Sequence, residues 1–148
     1  MKKIEFKKLN KKIRCKVVKH LDDYGYSSMG KPEIVEMTPD EFLKIVPLVG
    51  HCYYRKTIDK IKQEGYKEGR FLQDMPWIDK SEIEDHREGY MPSHEGRNRA
   101  QALKEMGIKK MRVVLFDGHK KWATRSEWQR DFGLSEKEIT RILKKCKY

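Results

Sequence analysis

The chain has 148 residues, 37% of them hydrophobic and 39% charged, which is enough for one domain with a single core and a small appendage. Its net charge of +11 is concentrated in residues 1–20, with nine basic and one acidic side chain, and in residues 109–148, with twelve basic and five acidic ones. No apolar run approaches the roughly 18 residues of a membrane span, and the N-terminus lacks the apolar core of a signal peptide. We therefore expect a cytoplasmic protein without a membrane partner.

The N-terminal part of the chain predicts two strands separated by a loop. Within residues 13–18, apolar side chains alternate with basic ones, which is the period of a strand, and we expect this strand to pair with residues 4–9. Gly and Ser residues predict a loop over residues 22–31. A short apolar segment predicts the second strand over residues 33–37.

Two helices and another strand are predicted next. Residues 38–41 combine a threonine cap, a proline at the first helical position and a glutamate that completes a capping box. A second helix is expected over residues 53–64, and Gly65 is a natural stop for it. Residues 76–78 predict a short strand. The charges of both signs in residues 79–89 predict a solvated segment.

The most informative segment is the glycine turn Glu95-Gly96-Arg97-Asn98-Arg99. We expect residues 90–93 to lead into it as a strand and residues 97–106 to leave it as a helix. Gly107 ends that helix, and the apolar run over residues 111–116 predicts a strand directly afterwards.

The start of that helix has the chemistry of a phosphate site. Free backbone N–H groups and the helix dipole attract anions there. The guanidinium groups of Arg97 and Arg99 add fork-shaped donors that suit phosphate. We therefore predict that Gly96, Arg97, Asn98 and Arg99 bind a nucleotide or another phosphate.

An acid and a histidine precede the turn and suggest catalysis. A carboxylate beside a phosphate repels it unless a cation lies between them, so Glu95 favours Mg²⁺ or a general-base role. His94 would then serve as an auxiliary acid. The alternative is that Glu95 only favours the helix dipole and His94 only faces solvent.

The C-terminal segment predicts two short helices around a glycine. One helix starts at Thr124 or Ser126 and reaches Phe132, Gly133 breaks it, and Ser135 caps the next. This arrangement fits two alternatives equally well: a helix-turn-helix unit, or a helical hairpin that covers the sheet. In the first case the residues that face a DNA groove would be Ser135, Lys137, Thr140, Arg141 and Lys144.

The cysteines indicate neither a disulfide framework nor a metal site. Cys15, Cys52 and Cys146 are few and widely spaced, and no histidine pair supplies the remaining ligands. We expect buried thiols and no bound zinc.

Residues 95–107, together with the strand through residue 116, resemble the nucleotide-binding signature of the ParB/sulfiredoxin superfamily. The resemblance covers residues 33–116. It implies an α/β (α+β) fold in which helices pack on a small mixed sheet, as a domain over residues 1–118 followed by a basic helical tail over residues 119–148. It also implies that Gly96, Arg97 and Arg99 form a phosphate cradle.

Two functions agree with this resemblance. The first is a DNA-associated, ParB-like protein that binds a nucleoside di- or triphosphate with Mg²⁺ at the glycine turn and DNA through its basic tail. The second is a small phosphotransferase or nuclease that uses Glu95 as base or metal ligand. Sulfinic-acid reduction is not expected, because sulfiredoxins carry a cysteine directly after the glycine and this chain has Arg97. The sequence leaves the oligomeric state open.

Overall fold

The computed structural model describes residues 1–24, 29–48, 54–84, 91–121 and 124–146. It is an α+β fold in which helices pack on a five-stranded mixed sheet, as the sequence predicted. The strands are β1 (Lys2–Lys3), β2 (Lys31–Met37), β3 (Trp77–Asp79), β4 (His94–Glu95) and β5 (Met111–Asp117). The helices are α1 (Lys11–Tyr24), α2 (Pro39–Ile45), α3 (Arg55–Glu64), α4 (Lys80–Glu84), α5 (Arg97–Glu105), α6 (Arg125–Phe132) and α7 (Glu136–Lys144).

The sheet has the strand order β1-β2-β5-β3-β4. Its centre is β5, which pairs antiparallel with β2 over seven residues, from Lys31 opposite Asp117 to Met37 opposite Met111. On its other side β5 runs parallel to β3. The edge strand β4 is antiparallel to β3. The strand β5 is almost continuously apolar because helices cover it on both faces.

Alternate residues of β5 enter two separate cores. Val114 and Phe116 belong to the core shared with α1, α6 and α7. Val113 and Leu115 belong to the core shared with α2 and α5. The sheet is therefore the middle layer, with the N- and C-terminal helices together on one face.

Several helix ends follow the predicted local chemistry. The hydroxyl of Thr38 accepts from the N–H of Glu41 at 3.0 Å, and the carboxylate of Glu41 accepts from the N–H of Thr38 at 2.9 Å. This reciprocal capping box begins α2 as expected. Gly133 has φ +64° and ends α6, and the Ser135 hydroxyl accepts from the N–H of Glu138 at the start of α7.

The strand predicted over residues 13–18, and its pairing with residues 4–9, are wrong. This segment belongs to α1, in which Ile13, Val17 and Leu21 recur at helical spacing and are fully buried. Residues 13, 15 and 17 fit a period of two equally well, so burial against the sheet decided between the two periods. The strand expected over residues 90–93 begins only at His94, and residue 90 lies outside the described part.

The expectation of free buried thiols is wrong for two of the three cysteines. Cys15 of α1 and Cys146, just beyond α7, form a disulfide, with their Cα atoms 5.7 Å apart and 131 residues between them in sequence. Spacing along the chain gives no information about such a pair, because only the packing of α7 on α1 brings the two together. Cys52 lies outside the described residues.

The last two helices share their core with the N-terminal helix. Trp128 of α6 and Ile139 of α7 are almost completely buried in the same cluster as Val17 and Leu21 of α1. The helical hairpin predicted from the sequence is thus present, and it packs on α1. No helix among the described residues has the length and apolar character that a bilayer crossing requires.

Candidate functional site

The predicted glycine turn lies where the edge strand β4 meets α5. Gly96 has φ +116°, a conformation that residues with a side chain rarely adopt. A Cβ atom there would lie 2.8 Å from the Cβ and 3.0 Å from the Cα of Pro76, which directly precedes β3. Only glycine lets the turn pass this close to the sheet, so the backbone of the site is fixed by Gly96 and Pro76.

The first turn of α5 presents backbone donors. The carbonyl of Gly96 accepts from the N–H of Ala100 at 2.9 Å, which starts the helix. The N–H groups of Arg97, Asn98 and Arg99 have no acceptor anywhere in the described part of the chain. These three amides carry the positive end of the helix dipole and are available to an anion.

Gly96, Asn98 and Arg99 of this turn border a cleft of about 500 Å³, which we call the Gly96 cleft. Its walls come from α3, the segment before β3, β3 itself and the turn into α5. It combines one cation and two acids with an indole ring, an aliphatic side chain and small polar groups. Its lining residues are Thr57, Ile61, Gln73, Asp74, Trp77, Glu95, Gly96, Asn98 and Arg99.

Arg99 is the cation of this cleft. Its side chain is only 18% exposed, and its guanidinium donates to the backbone carbonyl of Asp74. A second guanidinium nitrogen lies 3.9 Å from a carboxylate oxygen of Glu95. The side chain is thus held against the wall of the cleft by one neutral acceptor and one charged neighbour.

Arg97 and Asn98, the other predicted phosphate ligands, are used differently. The guanidinium of Arg97 does not line the cleft; it donates to the carbonyl of Pro47 at 3.3 Å and contacts the sulfur of Met91 at 3.4 Å. Asn98 does line the cleft, and its side-chain oxygen accepts from the N–H of Tyr54 at 3.3 Å. Of these two residues, only Asn98 therefore contributes to the Gly96 cleft.

The predicted catalytic residues Glu95 and His94 are not brought together. They are neighbours on β4, where successive side chains point to opposite faces of the sheet. Glu95 is paired with Trp77, lines the cleft and is 63% exposed. His94 is paired with Ile78, and its Nδ1 lies 2.7 Å from the carbonyl of Pro92. An acid–base pair across one substrate is not formed by these two side chains.

A charge cluster holds the outer wall of the cleft in place. Arg55 of α3 bridges Glu105 of α5 at 2.6 Å and Asp59 at 2.7 Å, and Lys62 lies 3.3 Å from Glu105. Hydrogen bonds from Arg55, Gln101 and Lys62 lower the pKa of Glu105 to about 2. This cluster ties α3 to α5, so the wall formed by α3 keeps its position beside the glycine turn.

Five further lining residues were missed from the sequence. They come from three separate segments, and none belongs to a recognisable motif: Thr57, Ile61, Gln73, Asp74 and Trp77. Trp77 was predicted only as part of a strand. The register of β3 against β4, which the sequence does not specify, places its indole on the same face as Glu95.

A protein metal centre is not evident in the part of the chain that the structure describes. Within it, His, Cys, Asp and Glu side chains form no group of three that could hold an ion. The Gly96 cleft contains only two carboxyl-bearing residues, Glu95 and Asp74. A divalent cation there would need oxygen ligands from a bound phosphate as well.

The predicted DNA-contacting side chains lie along the solvent side of α7. Ser135 caps this helix. Spacings of three, four and seven residues place the others on one face, opposite the buried Ile139. These exposed residues are Lys137, Thr140, Arg141 and Lys144.

No protein-family model, curated protein or solved structure matches this chain. Membership of the ParB/sulfiredoxin superfamily therefore stays a prediction that depends on residues 95–116. A shared fold would not determine the function in any case. The function must be argued from the geometry and charge of the site.

Proposed function

We propose that the Gly96 cleft binds a nucleoside di- or triphosphate, in a protein that associates with DNA. The observation that carries this proposal is that Asn98 and Arg99, whose backbone amides at the start of α5 are available, line one cleft with the guanidinium-bearing side chain of Arg99. Backbone donors at a helix start and a guanidinium fork are the two commonest phosphate ligands in proteins.

The remaining lining residues suit the other parts of a nucleotide. Trp77 and Ile61 provide apolar surface for a base or a ribose, and Thr57 and Gln73 provide polar groups. Because the carboxylate of Glu95 would repel a bare phosphate, we expect the nucleotide to bind with Mg²⁺ between them.

The association with DNA is supported by the charge of the chain. The net charge of +11 resides in its two terminal segments, and the structure packs the helices of these segments, α1 and α7, on the same face of the sheet. A concentration of positive charge on one side of a molecule attracts polyanions. The cytoplasmic location stays a prediction, and the disulfide between Cys15 and Cys146 argues against it, because thiols are kept reduced in the cytosol.

A thermal-shift experiment with ATP, ADP, GTP and CTP, each with and without Mg²⁺, tests the nucleotide site. A ligand that binds only the folded protein raises its Tm. Arg99→Gln should abolish the shift, because the cleft loses its cation. Arg97→Gln is the matched control and should keep the shift, since its guanidinium does not line the cleft. A panel in which no nucleotide raises the Tm of the wild type would refute the proposal.

A second candidate function is a phosphotransferase or nuclease. The observation in its favour is that Glu95 lies in the cleft, exposed and 3.9 Å from Arg99, where a base or metal ligand would be needed. Turnover of nucleotides, free serine and DNA should be measured with Mg²⁺ or Mn²⁺ for the wild type and Glu95→Gln. Equal turnover by the two proteins would eliminate this candidate.

A further inference from the structure

The surface between the N-terminal and C-terminal helices contains a second cavity that the sequence did not predict. It has a volume of about 380 Å³, and we call it the α1/α7 groove. Its walls are α1 and α7, and it is closed at one end by the turn between α6 and α7. The lining residues are Phe6, Lys7, Lys11, Arg14, Cys15, Phe132, Gly133, Leu134, Glu138, Arg141, Ile142 and Lys145.

The rim of this groove carries an excess of positive charge. Five of its lining residues are basic and one, Glu138, is acidic. Among the described residues the five basic side chains have no ion-pair partner, whereas Arg55, Arg99, Lys104 and Arg112 elsewhere on the surface are all paired with acids. The unpaired basic residues are Lys7, Lys11, Arg14, Arg141 and Lys145.

The positive surface continues beyond the groove. An adjoining cavity of about 460 Å³ shares Lys11, Cys15 and Lys145 with it and adds two basic residues, Lys12 and Arg70, and one acid, Glu68, which is paired with Arg112. The two cavities together form a basic strip that follows α1 past the disulfide. A strip of this kind matches a ligand with regularly spaced negative charges better than a single anion.

The floor of the groove is apolar and partly aromatic. The rings of Phe6 and Phe132 meet edge to face with their centroids 5.7 Å apart. Leu134 and Ile142 complete the floor, and all four side chains are only partly buried. An acidic peptide would use the basic rim and leave these rings without a partner, but nucleic-acid bases provide flat apolar surfaces that pack on such rings.

The shape of the groove favours a single strand over a duplex. Proteins read duplex DNA with convex elements that enter its grooves. A concave cleft with cations at the rim and aromatic rings on the floor suits a strand whose bases are free to leave the stack. The disulfide between Cys15 and Cys146 links the two walls before the ligand arrives, so binding costs little conformational entropy of the protein.

We infer that the α1/α7 groove binds single-stranded nucleic acid, with phosphates at the basic rim and bases against the floor. This inference rests on the DNA-binding part of the proposed function and specifies its ligand and its surface. It does not depend on the nucleotide cleft. Of the DNA-contacting residues predicted from the sequence it keeps Arg141, and it places the contact surface at the junction of α7 with α1 rather than on the outer face of α7.

The test is fluorescence anisotropy with a short labelled oligothymidylate and the full oxidised chain. Arg14→Gln combined with Arg141→Gln removes two charges from the groove and should weaken binding about tenfold. Lys137→Gln combined with Lys144→Gln is the matched control, because it removes two exposed charges of α7 that line neither cavity. The control should bind within about twofold of the wild type. Circular dichroism and Tm check that both variants fold.

The floor is tested separately. Phe6→Leu keeps an apolar side chain at the base of the groove but removes a ring, and it should weaken oligothymidylate binding several-fold. If the control variant is affected as strongly as the groove variant, the placement in the groove is wrong, although DNA association could still hold. Tighter binding of a duplex of equal length would overturn the assignment to a single strand. A wild type that binds no nucleic acid at all would refute both the inference and the DNA part of the proposed function.

Discussion

The Gly96 cleft and the α1/α7 groove both attract anions, but they do so by different means. In the cleft, Glu95 and the carbonyl of Asp74 hold the cation Arg99 in place, so attraction depends on this one positioned guanidinium together with backbone amides in a fixed geometry. In the groove, the basic side chains have no acidic partners in the described structure, and attraction depends on excess charge. Fixed amides favour a small ligand of defined shape, whereas unpaired side chains favour a long flexible polyanion.

A segment between α1 and the Gly96 cleft is held from both sides. Lys16 of α1 is buried and donates to the carbonyl of Gly69, and Arg99 of α5 donates to the carbonyl of Asp74. Burial lowers the pKa of Lys16. The segment from residue 69 to residue 74 is therefore held by a cation of α1 at one end and by a cation of the cleft at the other.

The largest expected effect concerns the disulfide of the groove. Cys15→Ser combined with Cys146→Ser removes a link across 131 residues, and we expect a loss of about 4 kcal/mol in the free energy of unfolding. Urea denaturation of the oxidised wild type and the double variant measures it. The nucleotide-induced rise in Tm should persist in the variant, because the cleft contains neither cysteine. Loss of that rise would mean that the two regions are not independent.

Acid should lower the free energy of unfolding through a buried histidine on the face of the sheet below the groove. Burial lowers the pKa of His20, which packs against Phe116, from 6.5 to about 4. Between these values the unfolded chain binds a proton that the folded protein does not, so stability falls as the pH decreases through this window. Over this whole window the free energy of unfolding falls by about 3 kcal/mol.

The free energy of unfolding measured at intervals from pH 7 to pH 4 checks the acid effect. His20→Leu should flatten the dependence, whereas His94→Gln, on the edge strand β4, should keep it. The carboxyl group of Glu105, whose pKa is lowered from 4.5 to about 2, adds to this loss below about pH 5, where the unfolded chain begins to bind a proton at that group. An unchanged slope in His20→Leu would assign the acid sensitivity to other groups.

Two glycine-to-alanine substitutions, one at the cleft and one away from it, test the geometry of the cleft. Gly96→Ala places a Cβ against Pro76 at φ +116°, and we expect a loss of about 2–3 kcal/mol together with loss of nucleotide binding. Gly107→Ala is the control, since φ is +74° there but no atom lies within 4 Å of the added Cβ. It should cost about 1 kcal/mol and leave binding intact. Similar effects of the two substitutions would show that contact with Pro76 is unimportant.

The smallest expected effect is a difference in salt dependence: ligand affinity should depend on salt more strongly at the groove than at the cleft. A single strand that makes four phosphate contacts in the groove should lose about 50-fold in affinity between roughly 50 and 200 mM salt. Binding of a mononucleotide in the cleft should change much less, because a mononucleotide releases few condensed counterions. Anisotropy and thermal-shift titrations at both salt concentrations measure this difference. An oligonucleotide affinity independent of salt would contradict the charge-based account of the groove.

Local chemistry was predictable where a few adjacent residues determine the structure. The capping box at Thr38 and the helix end at Gly133 formed as expected, because their hydrogen bonds and backbone angles involve neighbours in sequence. The turn at Gly96 followed for the same reason. The segment over residues 13–18 was mispredicted because its apolar residues satisfy two periods, and only contact with the sheet separates them.

The candidate site was only partly predictable. Gly96, Asn98 and Arg99 line one cleft with Glu95, as a contiguous motif allows. The direction of the Arg97 side chain depends on the distant Pro47 and Met91, and the separation of His94 from Glu95 depends on which faces of the sheet they occupy. Neither property is encoded in the spacing of the motif.

By itself the sequence determined the glycine turn, the helix caps and the basic character of both ends, since these depend on residue type and on neighbours along the chain. The tertiary structure alone decided that the two basic ends meet. Packing of Ile139 and Trp128 with the core of α1 brings α7 alongside it and joins Cys15 to Cys146. Contacts between residues more than a hundred positions apart follow from the burial of apolar faces, which no short pattern specifies.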